Sequence, residues 1–106
     1  MNNRYMRVIV FFDLPVITAA NKKAYREFRK TLVKSGFFMM QESVYCKLTP
    51  NGTVADSVIE NLKKEKPCDG LIQALKVTEN QYNKMEYIIG TRTDCVLDTD
   101  DWLVII

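Results

Sequence analysis

Read for the spacing of its apolar positions, the chain divides into short stretches of strand-like and helix-like period. Arg7-Val8-Ile9-Val10-Phe11-Phe12-Asp13-Leu14-Pro15 holds five β-branched or aromatic residues in succession. Such a run without polar alternation predicts a strand covered on both faces, the central position of a sheet. Pro15 cannot donate to a ladder and biases Leu14 toward an extended or turn geometry, so the strand stops near Asp13. The Asp13 carboxylate is then presented at the strand's carboxyl end.

From Thr18 to Ser35 the period becomes helical, with Thr18 placed to cap the start and Gly36 to stop the end. At about 100° per residue, Ala24, Tyr25, Phe28 and Leu32 share one arc, and Lys22, Lys23, Arg26, Arg29, Lys30 and Lys34 share the opposite one, interrupted by Val33. Phe37 to Gln41 and Ser43 to Leu48 read as an antiparallel hairpin. Pro50-Asn51-Gly52-Thr53 predicts a turn into a second helix, in which Ala55, Val58, Ile59 and Leu62 form one apolar stripe before Lys63 to Pro67 closes it. Gly70 to Thr78 reads as a strand with Leu71, Leu75 and Val77 on one face and Gln73 breaking the pattern. Gln81 to Lys84 predicts a helical turn, and Glu86 to Gly90 and Trp102 to Ile106 two further strands.

The order strand, helix, strand, strand, helix, strand predicts an α+β fold, a ferredoxin-like βαββαβ sandwich with both helices on one face and additional C-terminal strands. At 106 residues, one domain over 1–106 is expected. Leu103, Val104, Ile105 and Ile106 would leave a bare apolar edge unless their backbone pairs elsewhere. The region from about 82 to 106 is therefore expected to dock on a partner chain or on a second protomer of the same protein, which predicts an obligate oligomer.

Composition narrows the chemistry more than the fold. The chain has no histidine, which removes imidazole ligands, Ser-His and Cys-His pairs and the usual general base. Cys46, Cys68 and Cys95 are odd in number, widely spaced and without a C-x-x-C pair, so neither a disulfide framework nor a zinc knuckle is indicated. No apolar run reaches the roughly 20 residues of a membrane span, and Met1-Asn2-Asn3-Arg4 opens no signal peptide, so a cytoplasmic protein is expected. The net charge of +2 conceals an asymmetry: residues 1–50 carry nine Lys/Arg against three Asp/Glu, and residues 51–106 six against ten. A polyanion would land on the amino-terminal half.

Asp13 has two readings, a turn cap or half of a paired site. If a twofold axis brings two copies of Asp13 together, one gene supplies two carboxylates suited to Mg²⁺ or Mn²⁺ at a phosphodiester. The cationic arc likewise fits either plain solvation or salt-sensitive, sequence-tolerant contact with phosphates. Asp94 and Asp98-Thr99-Asp100-Asp101 lack the glycine and distal glutamate of a calcium loop and read as a solvated loop. The four glycines form no phosphate loop, and no aromatic stretch is present to stack RNA bases.

Phe12-Asp13-Leu14 at the end of the apolar strand, the basic helix with Arg26, Arg29, Lys30 and Leu32, then Gly36, Gln41, Ser43-Val44-Tyr45 and Tyr87-Ile88-Ile89-Gly90 together resemble the CRISPR-associated protein 2 family. The wording is most similar to members from type II-A systems. The resemblance implies a ferredoxin-like homodimer that binds duplex DNA and bridges the integrase subunits during spacer acquisition, without being the integrase. It also implies a metal-dependent endonuclease in which Asp13 is the Mg²⁺ ligand. Two functions stay open: a DNA-binding scaffold, or a nuclease cutting DNA or single-stranded RNA through the Asp13 pair. A regulatory small-molecule domain of the same fold is a third.

Overall fold

The computed structural model describes residues 5–67 and 69–91. The elements run β1 (Met6–Asp13), α1 (Ala19–Lys34), β2 (Phe38–Gln41), β3 (Val44–Thr49), α2 (Gly52–Lys64), β4 (Leu71–Thr78) and α3 (Glu79–Asn83). The strands form one sheet in the order β2-β3-β1-β4. All its pairings are antiparallel. This is the ferredoxin-like order expected of βαββαβ connectivity.

β1 is an inner strand, paired with β3 along one edge and with β4 along the other, and the registers show which way each side chain points. Val10 lies opposite Tyr45 on β3 and Ala74 on β4. Successive residues alternate between faces. Val8, Val10 and Phe12 therefore enter the layer between sheet and helices, where they are buried with Phe28 and Leu32 of α1, Ala55 and Leu62 of α2, and Tyr45. The predicted helical stripes are the stripes that pack, with Val58 and Ile59 half-buried at the margin.

The other face of the sheet corrects the expectation that β1 is covered on both sides. Ile9 is buried there beside Cys46 and Tyr82. Phe11, Leu71 and Leu75, which the registers put on the same face, are exposed. The five residues of α3 screen only one end of that face.

α3 is held by a clasp. Arg7 donates to both carboxylate oxygens of Glu79, at 2.7 and 3.0 Å, and its guanidinium carbon lies 4.1 Å from the centre of the Tyr82 ring. The bidentate fork and the aromatic face fix α3 over Ile9. The hydrogen bond to Glu79 raises the Arg7 pKa further above its ordinary value against the cost of desolvation, so this arginine is permanently charged. The buried Cys46 thiol is pushed up by burial, which outweighs the nearby Arg7 charge.

Glu86 to Gly90, expected as a strand, is irregular, with bends at 88–90 and no ladder. It pairs with neither β2 nor β4, the edge strands of the sheet, and β-propensity without a partner does not make a strand. Ile88 and Ile89 are accordingly 91% and 90% exposed. The expected strand from Trp102, the tail Leu103 to Ile106, the acidic cluster from Asp94 to Asp101, and Cys68 and Cys95 lie outside the described residues.

Replacing Glu79 by Gln leaves the Arg7 guanidinium half-buried and without its counter-charge. The expected outcome is a loss of about 1–3 kcal/mol in urea unfolding with an unchanged m-value.

Candidate nucleic-acid interface and acidic site

α1 begins where Thr18 and Asn21 satisfy each other's backbone. Thr18 Oγ1 accepts from the Asn21 amide at 3.0 Å, and Asn21 Oδ1 accepts from the Thr18 amide at 3.3 Å. It ends at Ser35, followed by Gly36 in the left-handed region at φ +94°. Its rotation about its own axis is set by Phe12. That ring meets Phe28 edge-on at 5.2 Å between centroids, Tyr25 at 5.8 Å and Tyr45 at 5.7 Å.

With Phe28 and Leu32 locked inward, Lys22, Lys23, Arg26, Arg29, Lys30 and Lys34 are all exposed. Val33, the interruption in that arc, is 60% exposed among them. Among the described residues, none of these six cations is in an ion pair; the pairs present are Arg7–Glu79, Lys63–Glu60 and Lys76–Asp56. The first turn of α1 holds no acidic residue, so the positive end of the helix dipole adds to the field.

Arg29 differs from its neighbours. Its Nε donates to the Tyr45 hydroxyl at 3.1 Å, and the guanidinium carbon lies 5.9 Å from the centre of the Tyr25 ring. The hydrogen bond to Tyr45 raises its pKa above the ordinary arginine value.

Asp13 is the last residue of β1, in register with Leu71. It shares the open face with Phe11, Val44, Leu71 and Gln73, around a shallow cavity of about 190 Å³. Its carboxylate is exposed, and among the described residues no side-chain hydrogen bond or ion pair engages it. No group of three metal-ligating residues exists among the described residues. Among the described residues, one chain therefore offers one carboxylate at this site. The sheet separates it from the cationic arc, since Asp13 is on the open face and α1 on the other.

The family model described as "CRISPR associated protein Cas2" matches residues 6–85. The chain belongs to this family. The match covers the four strands and three helices found among the described residues. Among similar proteins, the CRISPR-associated endoribonuclease Cas2 of Treponema denticola is 55% identical over 101 residues, 95% of this chain and 100% of that protein. The protein of that name from Streptococcus mutans serotype c is 44% identical over 99 residues, 93% and 91% of the two chains. A crystal structure of cas2 superposes with a TM-score of 0.56 at 20% identity, covering 90% of this chain and 98% of that one, and shares the fold.

Within this Cas2 fold, two residues that sequence reasoning named without a role at the site, Tyr45 and Gly70, help shape it. Tyr45 anchors Arg29; its inward direction was hidden because it shares its face of β3 with Lys47 and Thr49, while the more apolar set, Val44, Cys46 and Leu48, lies on the other face. Gly70 sits at φ +103° just before β4, and a Cβ there would lie 2.5 Å from Leu14 Cδ2 and 3.0 Å from the Asp13 carbonyl oxygen. A small residue with a left-handed backbone is what lets β4 enter beside Asp13.

Gly70→Ala would force Asp13 and Leu14 aside as well as strain its own backbone. It should destabilise the protein by about 1–3 kcal/mol in thermal or urea unfolding.

Proposed function

We propose that this Cas2-family chain is a cytoplasmic homodimer that grips duplex DNA through the cationic arc of α1 and bridges the integrase subunits during spacer acquisition. The observation that carries the reading is the exposed charge of Lys22, Lys23, Arg26, Arg29, Lys30 and Lys34, none of them in an ion pair among the described residues, held outward by the packing of Phe28 and Leu32. A stripe of six cations along a 16-residue helix suits a polyanion with regularly spaced charge. Support for a second copy comes from the open face, where Phe11, Leu71 and Leu75 are exposed side by side. A contiguous apolar patch of this kind is a docking surface, and a face-to-face twofold arrangement would cover it.

A second reading is favoured by the names of the relatives, which are called endoribonucleases. On that reading the chain is a metal-dependent endonuclease of the CRISPR system acting on single-stranded RNA or on DNA. One Asp13 is too few ligands for Mg²⁺ or Mn²⁺, but a face-to-face dimer would add the second carboxylate, and that hard-oxygen donor set fits either ion. Once bound, such an ion would supply positive charge and a more acidic water at a phosphodiester. Asp13 itself would hold the ion, and the surrounding Phe11, Val44 and Leu71 would thin the water around it.

Neutralising Lys22, Arg26 and Arg29 together to Gln should weaken duplex binding and reduce the slope of log K against log salt by about 2.7, near 0.9 per lost phosphate contact. Fluorescence anisotropy across a salt series measures both. An unchanged slope would remove α1 from the interface.

Asp13→Asn separates the two readings. The variant should keep the mass of two chains in light scattering and keep its duplex affinity. Any Mg²⁺-dependent cleavage of labelled RNA or DNA should fall by at least about a hundredfold. Cleavage surviving at the wild-type rate would exclude Asp13 as the metal ligand.

A further inference from the structure

The cations of α1 are not equivalent. Among the described residues, Lys22, Lys23, Arg26, Lys30 and Lys34 have no hydrogen-bonded anchor, so each must surrender side-chain freedom to meet a phosphate. Arg29 has surrendered much of that freedom before any ligand arrives. Tyr45 is 2% exposed. Its ring is wedged against Phe12, and its hydroxyl accepts the Arg29 Nε hydrogen. Tyr25, which also packs on Phe12, flanks the guanidinium.

The chemistry of the guanidinium gives this arrangement a direction. With Nε committed to Tyr45, the edge formed by the two terminal amino groups has no partner among the described residues. That edge matches two oxygens of one phosphate in a parallel fork. Resting on the reading of α1 as the duplex-binding face, we propose that Tyr45 is a positioning residue, which aims Arg29 to take a backbone phosphate in a fixed bidentate grip. The remaining cations of the arc then contribute diffuse charge. Arg29 sets where along the helix the nucleic acid backbone registers.

The role separates from simple packing in duplex-binding titrations across a salt series. Tyr45→Phe keeps the buried ring and all the charge, so it should cost about two- to tenfold in affinity with an unchanged salt slope. Arg29→Lys leaves the core untouched and keeps the charge but lacks the fork; it should show the same signature. Arg29→Gln should lose affinity and also reduce the slope by about 0.9. In the Arg29→Gln background, Tyr45→Phe should add no further loss, the non-additivity expected of residues acting as one unit.

Wild-type binding by Tyr45→Phe, with Arg29→Gln weakened, would overturn the positioning role and leave the reading of α1 intact. A Tyr45→Phe loss that persists in full on the Arg29→Gln background would assign Tyr45 to packing alone, and likewise overturn it. Wild-type affinity and slope in Arg29→Gln would overturn the assignment of Arg29 to the interface itself.

Discussion

The arrangement depends on the two-residue period of β1 at its carboxyl end. Phe12 points into the helix layer and makes three ring contacts that orient α1 and seat Tyr45. Asp13, the next residue, must then emerge on the opposite face. A slip of one residue in the β1 registers would bury the carboxylate among aromatic rings and expose the phenylalanine. The same step along the strand therefore positions both features of functional interest, and keeps them on opposite sides of the sheet.

That separation shapes what the molecule can do. Carboxylate and cations do not neutralise each other, because a layer of Val8, Val10 and Tyr45 lies between them. The cationic side has aromatic support from beneath and solvent above. The acidic side is set in exposed apolar surface, where α3 covers Ile9 and stops short of Phe11. The clasp of Arg7 on Glu79 and Tyr82 fixes that boundary with charge and ring together. The open face is thus divided between a part the chain covers for itself and a part left bare.

Much of the fold was legible because local and global preferences agree. Thr18 and Asn51 cap the helices they precede. The stripe of Ala55, Val58, Ile59 and Leu62 packs as its spacing predicts, and the order of elements fixes a short list of topologies. The cationic arc was legible for the same reason, since helical period alone separates it from Phe28 and Leu32. What was not legible depends on partners distant in sequence. Phe11 sits in a run that reads as fully buried, yet its coverage depends on how far α3 extends. Tyr87 to Ile89 has the composition of a strand without a ladder to join. Tyr45 and Gly70 act through contacts with Arg29 and with Asp13 and Leu14, and no periodicity announces a contact between separate elements.

β1 also has a place in time. Its neighbours β3 and β4 come later in the chain, and the clasp joins residues 72 apart. Synthesis proceeds from the amino end, so Val8 to Phe12 emerges long before the strands that flank it. Pairing strands across such separations is slow compared with making local helical contacts. On the ribosome, then, the most apolar stretch of the described chain waits without a sheet, its backbone and side chains uncovered until β3 and then β4 emerge to flank it.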